Sequence, residues 1–160
     1  MIRGKVWRFG DHVNTDLIIA GRYLDNYDIS SLASHVMEDL DPDFASRVQK
    51  GDIIVAGRNF GCGSSREQAP LALREAGVAA VVAESFSRIF YRNSINVGLV
   101  LVTSPEASSI AEGSELAIDL RSGVMEAEGQ EMSFAPLPDS LLEILEAGGL
   151  VPWMRARTRP

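Results

Sequence analysis

Within eight residues, Gly61-Cys62-Gly63-Ser64-Ser65-Arg66-Glu67-Gln68 brings together a thiol, two hydroxyls, a guanidinium, a carboxylate and an amide. Ile53-Ile54-Val55-Ala56 before it reads as a short buried strand, and Gly57, Gly61 and Gly63 mark a loop that needs unusual backbone angles. From Ser64 onward the pattern reads as a helix start, with Ser64 and Glu67 at the spacing of a capping box. Helix starts leave NH groups unpaired and carry partial positive charge, so the chemistry that this strand, loop and helix suit is capture of a carboxylate or oxyanion. Two familiar anion loops do not match. A dinucleotide fingerprint would need glycine where Arg66 stands, and a P-loop would need Gly-Lys-Ser/Thr, whereas no lysine follows Lys50.

The elements that must position this loop can be read from periodicity. Gly4 to Phe9 alternates polar and apolar residues as a half-buried strand does, and Asn14-Thr15-Asp16 reads as a turn or helix cap. Ile29, Leu32, Ala33, Val36 and Met37 have helical spacing, with Ser30 or Asp28 as cap and His35 off the apolar stripe as a solvated helix residue. Asp41-Pro42-Asp43 opens a short helix to about Val48. Pro70 falls inside the helix expected from Ser64, so that helix bends or starts late before stopping at Gly77. Val78 to Ala83 and Gly98 to Thr103 are apolar strands, with a helix from Arg88 to Asn96 between them, capped by Ser85 or Ser87. Ser104-Pro105-Glu106 begins a short helix, and Glu115 to Leu120 with Val124 to Glu128 forms a hairpin. Pro138 to Ala147 makes a final helix stopped by Gly148-Gly149. The expectation is one α/β domain over residues 1–160 with a three-layer core and no repeats.

The segment Gly-Cys-Gly-Ser-Ser-Arg-Glu-Gln-Ala resembles the Gly-Ser-Ser-Arg-Glu motif of the aconitase superfamily, in its small, mobile domain. Asn14-Thr15-Asp16, Gly21-Arg22-Tyr23-Leu24, Gly51-Asp52 and Ser85-Phe86-Ser87-Arg88-Ile89-Phe90-Tyr91-Arg92-Asn93 agree in order and spacing, so that the resemblance runs from about Val6 to Leu101. As this domain alone, the chain is most similar to the small subunits of 3-isopropylmalate dehydratase. The resemblance implies a swivelling β/β/α fold of three layers, with a mixed sheet and flanking helices. It also implies a hydro-lyase of leucine biosynthesis that interconverts 2- and 3-isopropylmalate by dehydration and rehydration. In the family the base is the first serine of the motif, here Ser64. Ser65 and Arg66 would then contact oxyanion and carboxylate, Gly63 and Arg88 would bind substrate, and Thr15 and Asp16 would orient Ser64 or Arg66 from behind. The loop Gly21-Arg22-Tyr23-Leu24-Asp25-Asn26-Tyr27 would face the part of the substrate that differs among relatives, with Arg22 and Tyr23 as contacts. Asp25-Asn26 is polar where an isopropyl group wants apolar lining, which keeps homoaconitase, or another malate-type hydro-lyase, open beside the isopropylmalate reading.

An ordinary hydroxyl is too weak an acid to serve as an alkoxide unaided. A helix end contributes at most ~2 kcal/mol, or roughly 1.5 pKa units, so Arg66, the loop NH groups and a water-excluding site must do the rest. A 4Fe-4S cluster needs three or four thiolates, and Cys62 is the sole cysteine of the chain. The expectation is that this chain binds no cluster or other metal and works with a large subunit that carries one.

Composition sets the remaining bounds. A formal charge of -7 disfavours nucleic acid and anionic lipid, the one basic cluster being Arg155, Arg157 and Arg159. Met1 to Phe9 lacks the apolar core of a signal peptide and no apolar run is long enough to span a bilayer, so the expected location is cytoplasmic, in keeping with a single cysteine. Two other function classes use the same residues. One is a stand-alone enzyme with Cys62 as nucleophile and His12 or His35 as base. The other is a non-catalytic carboxylate-binding module.

Overall fold

The computed structural model describes residues 1–25 and 28–158. Seven strands form one mixed sheet in the order β4-β3-β2-β1-β5-β6-β7, with β1 at Ile2–Arg8, β2 at Ile53–Ala56, β3 at Ala80–Ala83, β4 at Val100–Thr103, β5 at Glu115–Asp119, β6 at Val124–Ala127 and β7 at Gln130–Ser133. The first strand belongs to both halves. Its start, Ile2 to Lys5, runs antiparallel to β5, and its end, Val6 to Arg8, runs parallel to β2. The parallel half continues through β3 to β4, and the antiparallel half through β6 to β7.

Side-chain alternation explains why β2 and β3 are apolar throughout. Ile54, Ala56, Val81 and Ala83, with Trp7 and Leu101, pack on one face against the helical layer. Ile53, Val55, Ala80 and Val82, with Val6 and Val102, pack on the other against Leu116, Ile118, Met125, Ala127 and Met132 of the antiparallel half. A parallel strand covered on both faces has no polar side to show. Helix, parallel sheet and antiparallel sheet are thus stacked in three layers, the β/β/α arrangement that the resemblance implies.

The helices are α1 (Thr15–Ile18), α2 (Ile29–Ala33), α3 (Phe44–Arg47), α4 (Gln68–Ala76), α5 (Arg88–Val97), α6 (Asp139–Glu146) and α7 (Leu150–Thr158). Several depart from expectation for identifiable reasons. Asp28 caps α2, which ends at Ala33 rather than Met37. Ser34 turns its hydroxyl onto the Ser31 carbonyl at 2.6 Å, a local bond that competes with helix propagation. Met37 takes a left-handed φ of 60° while giving its NH to the Ile18 carbonyl at 2.8 Å. The helix expected at Asp41-Pro42-Asp43 starts later, at Phe44, and Ala107–Ser109 is a single 3-10 turn. The segments Gln130–Ser133 and Leu150–Thr158 carry a strand and a helix that periodicity did not show. A turn with Glu128 and Gly129 both at positive φ (50° and 77°) folds β7 back on β6, as two-residue hairpins require. Gly148-Gly149 separates α6 from α7 instead of ending the helical region. In α7, Arg157 pairs with Glu143 at 3.1 Å and lies over the Trp153 ring, so this part of the basic cluster is held against the protein; Arg159 lies outside the described residues. No helix among the described residues is long and apolar enough to cross a membrane.

A buried acid fastens the parallel strands at their N-terminal end. Asp52 is 6% exposed, and its Oδ2 accepts from Trp7 Nε1 at 2.9 Å and from the Gln49 NH at 2.8 Å. Asp52→Ala leaves a buried indole NH without an acceptor and is expected to cost about 2 kcal/mol of stability, read as a lower urea midpoint at an unchanged denaturant slope.

Candidate functional site

The loops that follow β1, β2 and β3 meet at the C-terminal end of the parallel strands, where open α/β sheets place their ligands. The loop after β2 is held on both sides by backbone hydrogen bonds. Towards the β1 loop, His12 donates to Arg58, Gly61 to Val13 and Thr15 to Cys62, at 2.7 to 2.8 Å. Towards the β3 loop, Phe60 donates to Ser85, Ser87 to Phe60 and Glu84 to Gly57, each at 3.0 Å. Gly61, at φ 83°, sits where any side chain would lie 2.1 Å from Phe90 Cγ. Only glycine fits, and Phe60, Phe86 and Phe90 pack edge-to-face or stacked beneath it.

That anchoring lifts Ser64 and Ser65 into solvent, where both are exposed. Thr15, buried at 2% exposure, donates its hydroxyl to the Ser64 carbonyl at 2.9 Å, and Gly63 (φ 95°) lies beside it. The capping box does not form. Helix α4 begins at Gln68 with Glu67 as N-cap and without a side-chain cap bond, so neither Ser64 nor Ser65 is the cap. A start at Ser64 would have put Pro70 in the helix interior; from Gln68 it lies in the first turn, where its missing NH costs nothing. Ser64 precedes the N-cap by three residues, and a helix-end field that fades within one turn cannot supply the contribution expected of it.

Arg66 folds inward beside the serines, its side chain 19% exposed and paired with Asp16. Its Nη1 also donates to the Ile19 carbonyl at 3.2 Å. Asn14 caps α1 by accepting the Leu17 NH at 2.9 Å, which sets Thr15 and Asp16 in the first helical turn where they reach Ser64 and Arg66. The structure therefore gathers Thr15, Asp16, Gly63, Ser64 and Arg66 into one group, with Ser65 exposed next to them. Arg88 stands at the first position of α5, exposed, and makes no hydrogen bond or ion pair with these groups among the described residues.

Arg22 and Tyr23 lie next door, because Gly21 is close to Arg66: a Cβ on Gly21 would be 3.6 Å from its Nη2. Both side chains are engaged by partners that sequence reasoning missed. Arg22 Nη2 donates to Glu38 Oε2 at 3.2 Å and to Asp39 Oδ1 at 3.1 Å, with its guanidinium over the Tyr23 ring. Tyr23 donates its hydroxyl to Glu38 Oε2 at 2.5 Å and stacks on His35 at 3.9 Å between centroids. His35 is thus half-buried against a ring rather than solvated. The hydrogen bond from Tyr23, then those from His35 and the nearby Arg22 charge, hold the Glu38 carboxyl below its usual range. Asp25 is exposed, whereas Asn26 and Tyr27 of this loop lie outside the described residues.

The rival chemistries find less support. His12 is paired with Asn59 at 3.3 Å and His35 with Glu38 at 3.4 Å, so neither histidine is hydrogen-bonded to Cys62. No group of three or more His, Cys, Asp or Glu side chains among the described residues is placed to hold a metal ion. A hollow of about 450 Å3 on the antiparallel half is lined by Glu115, Asp119, Glu126, Glu128 and Glu131 with Arg3 and Met1, a predominantly acidic surface that does not favour an acid substrate.

Comparison with known proteins gives a consistent set of similarities. Residues 13–107 match the family model for the aconitase C-terminal domain. The chain is 60% identical over 153 residues to the methanogen homoaconitase small subunit of Methanothermobacter thermautotrophicus, covering 94% of this chain and 89% of that one. It is 53% identical over 157 residues to the 3-isopropylmalate dehydratase small subunit of Wolinella succinogenes, covering 97% and 94%. The crystal structure of a 3-isopropylmalate dehydratase chain from Methanocaldococcus jannaschii superposes with a TM-score of 0.93 at 45% identity, covering 98% of this chain and 94% of that one.

The lowered Glu38 pKa has a pH signature. A carboxyl that ionises more easily folded than unfolded contributes stability above its unfolded value, near 4.5, and loses it as pH falls through the folded value. The melting temperature of Glu38→Gln is expected to lie below that of the parent at pH 7 and to approach it as pH falls below the unfolded value near 4.5. The measurement is paired thermal melts across that range.

Proposed function

Starting from the fact that the chain belongs to the aconitase C-terminal domain family, we propose that it is the small subunit of a 3-isopropylmalate dehydratase, a hydro-lyase. It interconverts 2- and 3-isopropylmalate in leucine biosynthesis and turns over only when a large subunit closes the site. The observation that carries this reading is the pairing of an exposed Ser64 with an inward, doubly held Arg66 on one rigid loop.

In this reading Ser64 Oγ, deprotonated, takes the proton from the carbon next to a substrate carboxylate while the C–O bond on the neighbouring carbon breaks and its hydroxyl, protonated by an acid of the large subunit, leaves as water. Water then adds back with the two positions exchanged, and Ser64 returns the proton. Arg66 receives that carboxylate on the part of its guanidinium left free by Asp16 and the Ile19 carbonyl. Asp16 and Ile19 hold the fork in place before substrate arrives, so less is lost in ordering it. Ser65 and the Gly63 NH add contacts to developing negative charge, and Arg88 reaches the substrate from α5. Thr15, through the Ser64 carbonyl, sets the direction of the Ser64 side chain. With the helix end too distant, the acidity of Ser64 must come from Arg66, the loop NH groups and exclusion of water by the partner. A 4Fe-4S cluster needs three or four thiolates and this chain has Cys62 alone, which supports a large subunit as the carrier of the cluster of this enzyme class.

Homoaconitase is the second reading, favoured by the 60% identity to the homoaconitase small subunit of Methanothermobacter thermautotrophicus and by the polar Asp25 where a branched alkyl group would want apolar lining. A panel of 2-isopropylmalate and homologous tricarboxylates on the reconstituted pair separates the two, and failure to turn over any of them supports a carboxylate-binding module instead.

On that pair Ser64→Ala is expected to lower kcat about 10³-fold with little change in KM, measured as appearance of the unsaturated intermediate; near-parental turnover contradicts the base assignment. Arg66→Lys keeps the charge but loses the fork and is expected to lower kcat/KM by roughly 10- to 100-fold, checked by steady-state kinetics.

A further inference from the structure

The turn after α2 carries a feature that the functional reading does not use. Met37 is a buried, non-glycine residue at φ 60°, an uncommon conformation that persists only where its surroundings hold it. Its NH bond to the Ile18 carbonyl ties the turn to α1, one residue from the Ile19 carbonyl that holds Arg66. The same geometry turns Glu38 towards Arg22 and Tyr23. Glu38 accepts from the Tyr23 hydroxyl and from Arg22 through one oxygen and meets His35 through the other, while Asp39 takes the second contact from Arg22. With two carboxylates on its guanidinium and the Tyr23 ring beneath it, Arg22 is already engaged on the protein. The segment carrying them adjoins Arg66 through Gly21, so it borders whatever extends from a carboxylate bound there.

We propose that Glu38 is a positioning residue for substrate selection: it braces Tyr23 and Arg22 so that the 20–25 segment presents a fixed wall to the part of the substrate beyond the carboxylate on Arg66. The proposal rests on the functional reading above and gives it a specificity element. Arg22 acts here as a strut within that wall, and Glu38 itself does not touch the reacting atoms. Discrimination between acids that share the carboxylate and differ beyond it depends on the brace, whereas proton abstraction by Ser64 does not.

Two measurements test it. In the free subunit, Glu38→Ala is expected to raise amide exchange in residues 20–25 about tenfold and leave 61–68 unchanged. In the reconstituted pair, Glu38→Ala is expected to shift the ratio of kcat/KM for 2-isopropylmalate over a homologous tricarboxylate about tenfold, chiefly through KM. Glu38→Gln, which keeps an acceptor for Tyr23, is expected to restore part of that ratio. Unchanged exchange, or an equal loss for both acids without rescue by Glu38→Gln, overturns the proposal. If the parent pair turns over neither acid, the functional reading fails and the selective role with it, while the exchange experiment still decides whether the brace exists.

Discussion

Backbone hydrogen bonding between neighbouring loops is the constraint on which the site depends. The segment after β2 has lost its strand geometry by Gly57, yet most of its NH groups and several of its carbonyls are paired with backbone or side-chain groups of the β1 loop on one side and the β3 loop on the other. Buried backbone groups left unpaired would cost heavily, so the path of residues 57–62 is fixed almost as firmly as a strand. Because that path is fixed, Ser64 and Arg66 leave it at defined points. The serine emerges into solvent, and the arginine turns back onto α1.

The placement of charge follows from the same frame. In a chain with formal charge -7, both arginines beside the exposed serines carry acid partners. Arg66 keeps one acid partner and one carbonyl, which orients the guanidinium and leaves donors for a ligand. The two arginines thus differ in how they are held, Arg66 by one acid and one carbonyl and Arg22, next to Gly21, by two acids and a ring. The carboxylate-lined hollow of the antiparallel half lies outside this arrangement.

Much of this was legible in the residues. Unbroken apolar runs such as Val78 to Ala83 require cover on both faces, which predicts a central strand between layers, and both layers are present. The glycine spacing around Cys62 marked the loop, and Asn14 marked a cap. Where local signals competed, sequence reading misplaced boundaries. Ser64 and Glu67 had capping-box spacing, but Pro70 shifted the helix start to Gln68. Met37 fitted a helical stripe, but a tertiary bond to Ile18 drew it into a left-handed turn. The Glu38 brace was invisible because its partners are 15 and 16 residues away, brought near by that turn and not by any periodicity. The strand β7 has one buried apolar residue, Met132, too few to announce it.

The central claim is that this loop is half of a site, completed by another polypeptide. Its most direct test is turnover of 2-isopropylmalate by the purified chain alone, by a cluster-bearing large subunit alone, and by the two combined. The account predicts no turnover from either component and turnover from the mixture. Turnover by this chain alone, or an inert mixture with the cluster intact, would contradict it.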